Sequence, residues 1–114
     1  EVYWSLVEIV DAEELQVLTL IGEHVGKPET VHFADLDLSE GVIGIGSGFE
    51  FIERFPESVR AALSAFDIAA RPKADTICEL ALLALKSGSP GELSKALPTY
   101  VRDTVTWKKL PGRE

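Results

Sequence analysis

The sequence predicts a mixed α/β layer fold, and three observations carry that reading. Two β-rich segments at the start are separated by a short polar break. A short apolar run bounded by glycines then passes straight into a helix-start signal. Later, apolar residues recur at helical spacing and stop at Gly88 and Pro90. A hairpin followed by alternating helices and strands buries its apolar faces best as packed layers of both kinds.

The first segment, residues 2–10, holds Val2, Tyr3, Trp4, Val7, Ile9 and Val10. Side chains branched at Cβ and aromatic rings fit a pleated surface, so a strand is predicted there. Residues 11–14 are polar, and residues 15–21 are apolar again, with Val17, Leu18, Leu20 and Ile21. Two strands with so short a break form an antiparallel hairpin. Pro28, which needs no amide donor, suits the first position of a short helix over residues 27–31. Residues 35–40 form an acidic loop.

Residues 41–46, Gly-Val-Ile-Gly-Ile-Gly, suit a strand covered on both faces, as in a parallel sheet. Ser47 and Glu50 have the spacing of a capping box, so strand, tight turn and helix follow one another. Pro56 opens a second helix, with Val59, Ala62 and Leu63 on one face. A weaker strand is expected over residues 67–70. Thr76 and Glu79 form a second capping-box pair before Ile77, Leu80, Ala81 and Ala84, which share one helix face. Residues 1–96 are taken as a single domain and residues 97–114 as a C-terminal tail.

Composition limits the function. The chain has 114 residues, 11 basic and 19 acidic, for a formal net charge of -8. Nucleic-acid binding needs a cationic surface that displaces condensed counterions, so an acidic body suits it poorly. The basic residues collect late: Arg102, Lys108, Lys109 and Arg113 face only Asp103 and Glu114 after residue 101. One cysteine, Cys78, excludes an intrachain disulfide and fits a reducing compartment such as the cytoplasm. No apolar run is long enough for a membrane span. The chain begins at Glu1, without methionine and already in strand, which implies upstream sequence.

Candidate chemistry was sought residue by residue. Gly44, Gly46, Ser47 and Gly48 could cradle a phosphate on backbone amides at a helix start. Their spacing matches neither Gly-x-Gly-x-x-Gly nor the P-loop, and a tight strand-to-helix crossover needs the same glycines. Ser47 lacks the glycine two residues earlier that a nucleophile elbow requires, because Ile45 stands there. His24 and His32 fit no metal-binding spacing. Cys78 reads as a small buried apolar residue. Asp35, Asp37 and Glu40 read as a solvated loop. Tyr100, Arg102, Trp107, Lys108 and Lys109 combine the aromatic and cationic groups favoured at binding hot spots. They either dock a partner or pack back on the body.

The tail Leu97-Pro98-Thr99-Tyr100-Val101-Arg102, with Val105-Thr106-Trp107-Lys108-Lys109-Leu110-Pro111-Gly112, resembles the C-terminus of YeaZ/TsaB-family proteins. Val101 stands where that family more often has leucine. Glu1-Val2-Tyr3-Trp4 and Gly44-Ile45-Gly46-Ser47-Gly48 resemble segments of the same proteins in the same order. The resemblance implies a shortened actin-like, RNase H-type α/β lobe, with a mixed sheet, an N-terminal hairpin and packed helices. It implies a non-catalytic scaffold and activator in threonylcarbamoyladenosine (t6A) modification of tRNA, at the adenosine after the anticodon. The implied partners are TsaD, which carries ATP, metal and the transfer chemistry, and the ATPase TsaE, with tRNA reached through the complex. No cofactor is expected on this chain. The other readings are a nucleotide-binding ATPase-like lobe and a peptidase of the M22 type, a label once attached to such proteins. The family's second lobe has a strand ahead of the position of Glu1, so an exposed edge on the hairpin is expected. A homodimer or strand exchange follows from it.

Overall fold

The structure, a computed structural model, describes residues 1–88 and 91–102. β1 (Val2–Asp11) and β2 (Gln16–Gly26) pair antiparallel, β3 (Val42–Ile45) and β4 (Leu63–Asp67) pair parallel, and α1 (Glu57–Ala62) and α2 (Ala74–Lys86) are the α-helices. Both expected kinds of pairing form, in two separate two-stranded sheets. Three 3-10 helices, Pro28–Thr30, Ser47–Arg54 and Leu93–Lys95, complete the set.

The hairpin turn is made by Asp11, whose Oδ1 accepts the amides of Glu13 at 2.9 Å and Glu14 at 3.1 Å. A short acidic side chain that bonds the backbone two residues on is a standard way to reverse a chain. β2 runs five residues beyond the expected end at residue 21, because His24, Val25 and Gly26 still pair with Trp4, Tyr3 and Val2. Register shifts break the ladder on both sides of Leu6.

A small core sits where the start of β1 meets the helical segments. Val2, Val31, Phe55 and Val59 are its buried residues, with Trp4, Phe33, Phe49 and Ile52 packed around them. Pro28, at the first position of its 3-10 helix as expected, is fully buried beside it. Phe49 links core to sheet, with its ring 5.5 Å from Phe55 and 5.8 Å from Phe66.

Elsewhere the expectations need correction. The glycine-bounded strand is not covered on both faces: Ile43 and Ile45 are each 71% exposed. No capping box forms at Ser47, because Gly46 occupies the cap position of a 3-10 helix and Ser47 makes no capping bond. α2 starts two residues before Thr76, with Lys73 at its cap, and Thr76 instead donates its amide to Asp75 Oδ1 at 2.7 Å. β4 lies about four residues earlier than the expected 67–70 strand, since residues 63–67 can pair with β3 directly. Cys78 is exposed rather than buried. Ile77 (59%) and Leu80 (46%), on the predicted apolar face of α2, are also exposed, so the helix keeps that face largely unpacked, and Leu82 and Leu85 are exposed as well.

The Cα radius of gyration is 17.5 Å, against about 13 Å for a compact domain of 100 residues. Among the described residues, no helix is long and apolar enough to cross a membrane.

Candidate functional site

The glycine turn is built by packing. β3 brings Gly44 under the ring of Phe49, and a Cβ at Gly44 would collide with that ring. Gly46 holds φ +109° and ψ 168°, a conformation open in practice only to glycine. Its amide donates to the Asp67 carbonyl at 2.8 Å, and its own carbonyl accepts the Phe49 amide at 3.3 Å. Gly48 lies against the side chain of Val2. Each glycine thus lets an aromatic ring, a bend or a neighbouring strand approach. The acids Glu50, in the first turn, and Asp67, paired with Ile45 in the ladder, surround the turn and disfavour an anion.

Ser47 makes no capping bond, and the two histidines lie elsewhere, around Trp4. His24 stacks on the indole at 5.0 Å and His32 meets it at a steep angle at 6.2 Å. Sequence spacing kept these histidines apart; the pairing of β1 with β2 brings His24 to the ring, and the loop after Pro28–Thr30 brings His32. The loop acid Asp37 accepts the Ser39 amide at 3.1 Å and so serves the turn. Among the described residues, no three of His, Cys, Asp and Glu gather as a metal-binding group.

Of the tail residues, Tyr100 is 80% exposed and Arg102 pairs with Glu1 at 3.2 Å. Trp107, Lys108 and Lys109 lie outside the described residues. The tail thus returns to the start of β1. On the body, two cation–acid contacts fix the helical layer: Arg54 to Glu29 at 2.7 Å and Arg60 to Glu57 at 2.6 Å. The Arg54 hydrogen bond, helped by Glu29's own amide, holds the Glu29 carboxyl below the usual carboxylate range.

The hairpin also exposes apolar side chains that belong to no sequence motif. Tyr3, Val7 and Ile9 of β1 and Val17 of β2 are all about half exposed or more, and alternation places them together. Leu80, Leu83 and Ala84 of α2 line a shallow groove against Glu14, Leu15 and Gln16 of the hairpin turn. The signal was present in the sequence as apolar residues at both alternate positions of β1, more than one buried face requires.

No family model matches the sequence. The chain is 30% identical over 92 residues to the tRNA threonylcarbamoyladenosine biosynthesis protein TsaB of Escherichia coli, which covers 81% of this chain and 39% of that protein. Two crystal-scale likenesses come from Pseudomonas aeruginosa. One is an uncharacterized protein with similarity to peptidase YeaZ, at TM-score 0.69 and 28% identity over 88% of this chain and 43% of that one. The other is YeaZ, at TM-score 0.68 and 28% identity over 86% of this chain and 42% of that one. The chain therefore spans about two fifths of the length of each of these relatives. With 30% identity to TsaB over 81% of its length and a fold that matches YeaZ, the chain belongs to the YeaZ/TsaB family.

Proposed function

We propose that this chain is a supporting part of a non-catalytic scaffold and activator in t6A modification of tRNA. The observation that carries the proposal is its sequence similarity to TsaB across 81% of its length. The physical reading agrees with it. The glycines of the crossover are accounted for by packing, and the net charge of -8 favours acting through protein rather than gripping tRNA directly. In this reading the partners are a TsaD-type protein, which would hold ATP and metal, and a TsaE-type ATPase, all in the cytoplasm. Tyr100, Arg102, Trp107, Lys108 and Lys109 are proposed as a docking element.

The test is a calorimetric titration into the TsaD-type protein of the same organism, with a full-length family member as control. Binding by the chain that weakens about tenfold or more in Trp107→Ala with Lys108→Ala, as expected of hot-spot residues, supports docking by the tail. If only the full-length control binds, this chain supports another part of the protein that makes the contact. If the control also fails to bind, the proposed partner is wrong.

A further inference from the structure

We propose that residues 103–114 lie along the exposed apolar face of the β1–β2 hairpin, so that the tail covers a surface of its own chain. Tyr3, Val7 and Ile9 of β1 and Val17 of β2 share that face, and they are 48–67% exposed. The inference concerns the chain alone and does not rest on the t6A reading. A partner that takes up the tail has first to lift it from the hairpin.

Three observations name the tail as the occupant. The first is where the described chain stops: Arg102 pairs with Glu1 at 3.2 Å, at the start of β1. The second is reach. Residues 103–114 follow, and a fully extended segment of that length spans about 40 Å. β1, with 10 residues, is shorter, at about 33 Å. The third is charge. From Glu1 to Gly26 the hairpin carries Glu1, Glu8, Asp11, Glu13, Glu14 and Glu23 and no lysine or arginine. The tail carries Lys108, Lys109 and Arg113 against Asp103 and Glu114, with Val105, Trp107 and Leu110 among them. A cationic segment with apolar side chains complements an acidic hairpin with an apolar face. A second copy of the chain does not, because it sets the same acids against one another.

The Arg102–Glu1 contact also sets a register. Followed from there, residue for residue along β1, the tail brings Trp107 level with Leu6, next to Val7, and Lys109 level with Glu8. Trp107 then supplies the apolar cover and Lys109 the countercharge. Glu8 is exposed and so open to a cation. The covalent tether makes the encounter intramolecular, which for a short linker corresponds to an effective concentration on the order of millimolar. A weak contact therefore suffices to hold the tail down.

The experiment labels both tryptophans of the full chain with fluorotryptophan and follows the two fluorine resonances, assigned with Trp107→Phe. Trp4 packs against the core, so its resonance reports that the fold is kept. The expected result is a Trp107 resonance displaced from the position of a free indole. Val7→Ser with Ile9→Ser returns it to that position while the Trp4 resonance holds. Glu8→Lys moves the Trp107 resonance the same way, and Lys109→Glu in the same chain moves it back. Dilution leaves both resonances unchanged. If the serine variant unfolds, as seen at Trp4, the Glu8 and Lys109 exchange decides. A Trp107 resonance at the free-indole position in the parent overturns the proposal. So does one that ignores the changes at Val7, Ile9 and Glu8, or one that moves on dilution, which assigns the face to a second copy.

Discussion

Gly46 and Gly44 sit two residues apart and fail in different ways when a methyl group is added. At Gly46 nothing lies within 4 Å of an added Cβ, but φ +109° with ψ 168° is closed to other residues. Gly46→Ala should cost about 1–3 kcal/mol through backbone strain alone, with the chain still able to adjust outward. At Gly44 the backbone is permissive and the Phe49 ring is the obstacle. Gly44→Ala should lose about as much by overpacking, and Phe49→Leu should recover part of it, whereas it should recover nothing for Gly46→Ala. Thermal melts of the four variants decide this. Glu29 carries the clearest acid dependence. Its carboxyl titrates lower in the folded chain than in the unfolded one, so the unfolded chain binds more protons on acidification. The Arg54 contact therefore adds stability above the ordinary carboxylate range and loses it as pH falls through the folded value. Arg54→Gln should flatten that part of the acid-unfolding curve, measured as urea midpoints at several pH values. The sequence showed the glycines but not their reasons, since neither a positive φ nor a ring from residue 49 can be inferred from Gly-x-Gly-Ser-Gly.

The elements divide by how local their causes are. The hairpin, the Pro28 helix and the helix after Pro56 follow from β-branched runs, an Asx turn and two prolines, and all were legible in the sequence. The capping boxes read at Ser47 and Thr76 do not form, because neighbours displace them: Gly46 takes one cap and Asp75 takes the amide of Thr76. β4 was misplaced for a similar reason, since its start is fixed by pairing with β3 rather than by its own composition. α2 was legible as a helix but not in its packing. Apolar residues at helical spacing predict a face that wants cover; Ile77 and Leu80 show that face without it, and Leu82 and Leu85 are exposed too. Leu82→Lys with Leu85→Lys should therefore change stability by only about 0.5 kcal/mol or less, as for exposed sites. The same pair should lower any concentration-dependent association, read by sedimentation velocity. A large loss of melting temperature would mean that α2 is covered in solution.

At the scale of the whole chain, the extents are 54 × 41 × 26 Å around a core of few buried residues. Family and α/β class were legible because tail and strand motifs survive in order. The surface that needs a partner was not, because burial is a property of what surrounds a residue and not of the residue itself. The ion pair of Glu1 with Arg102 has one more consequence. It joins nearly the most distant described positions in the chain, so it is the contact of highest sequence separation. Closing so long a loop costs entropy that rises by about 0.6 kcal/mol per doubling of length, while an exposed ion pair returns about 1 kcal/mol at most. The pair cannot nucleate folding; it forms after β1 and β2 have zipped. It is also a contact that rising salt should weaken, because both of its groups are partly exposed to the solvent ions that screen them.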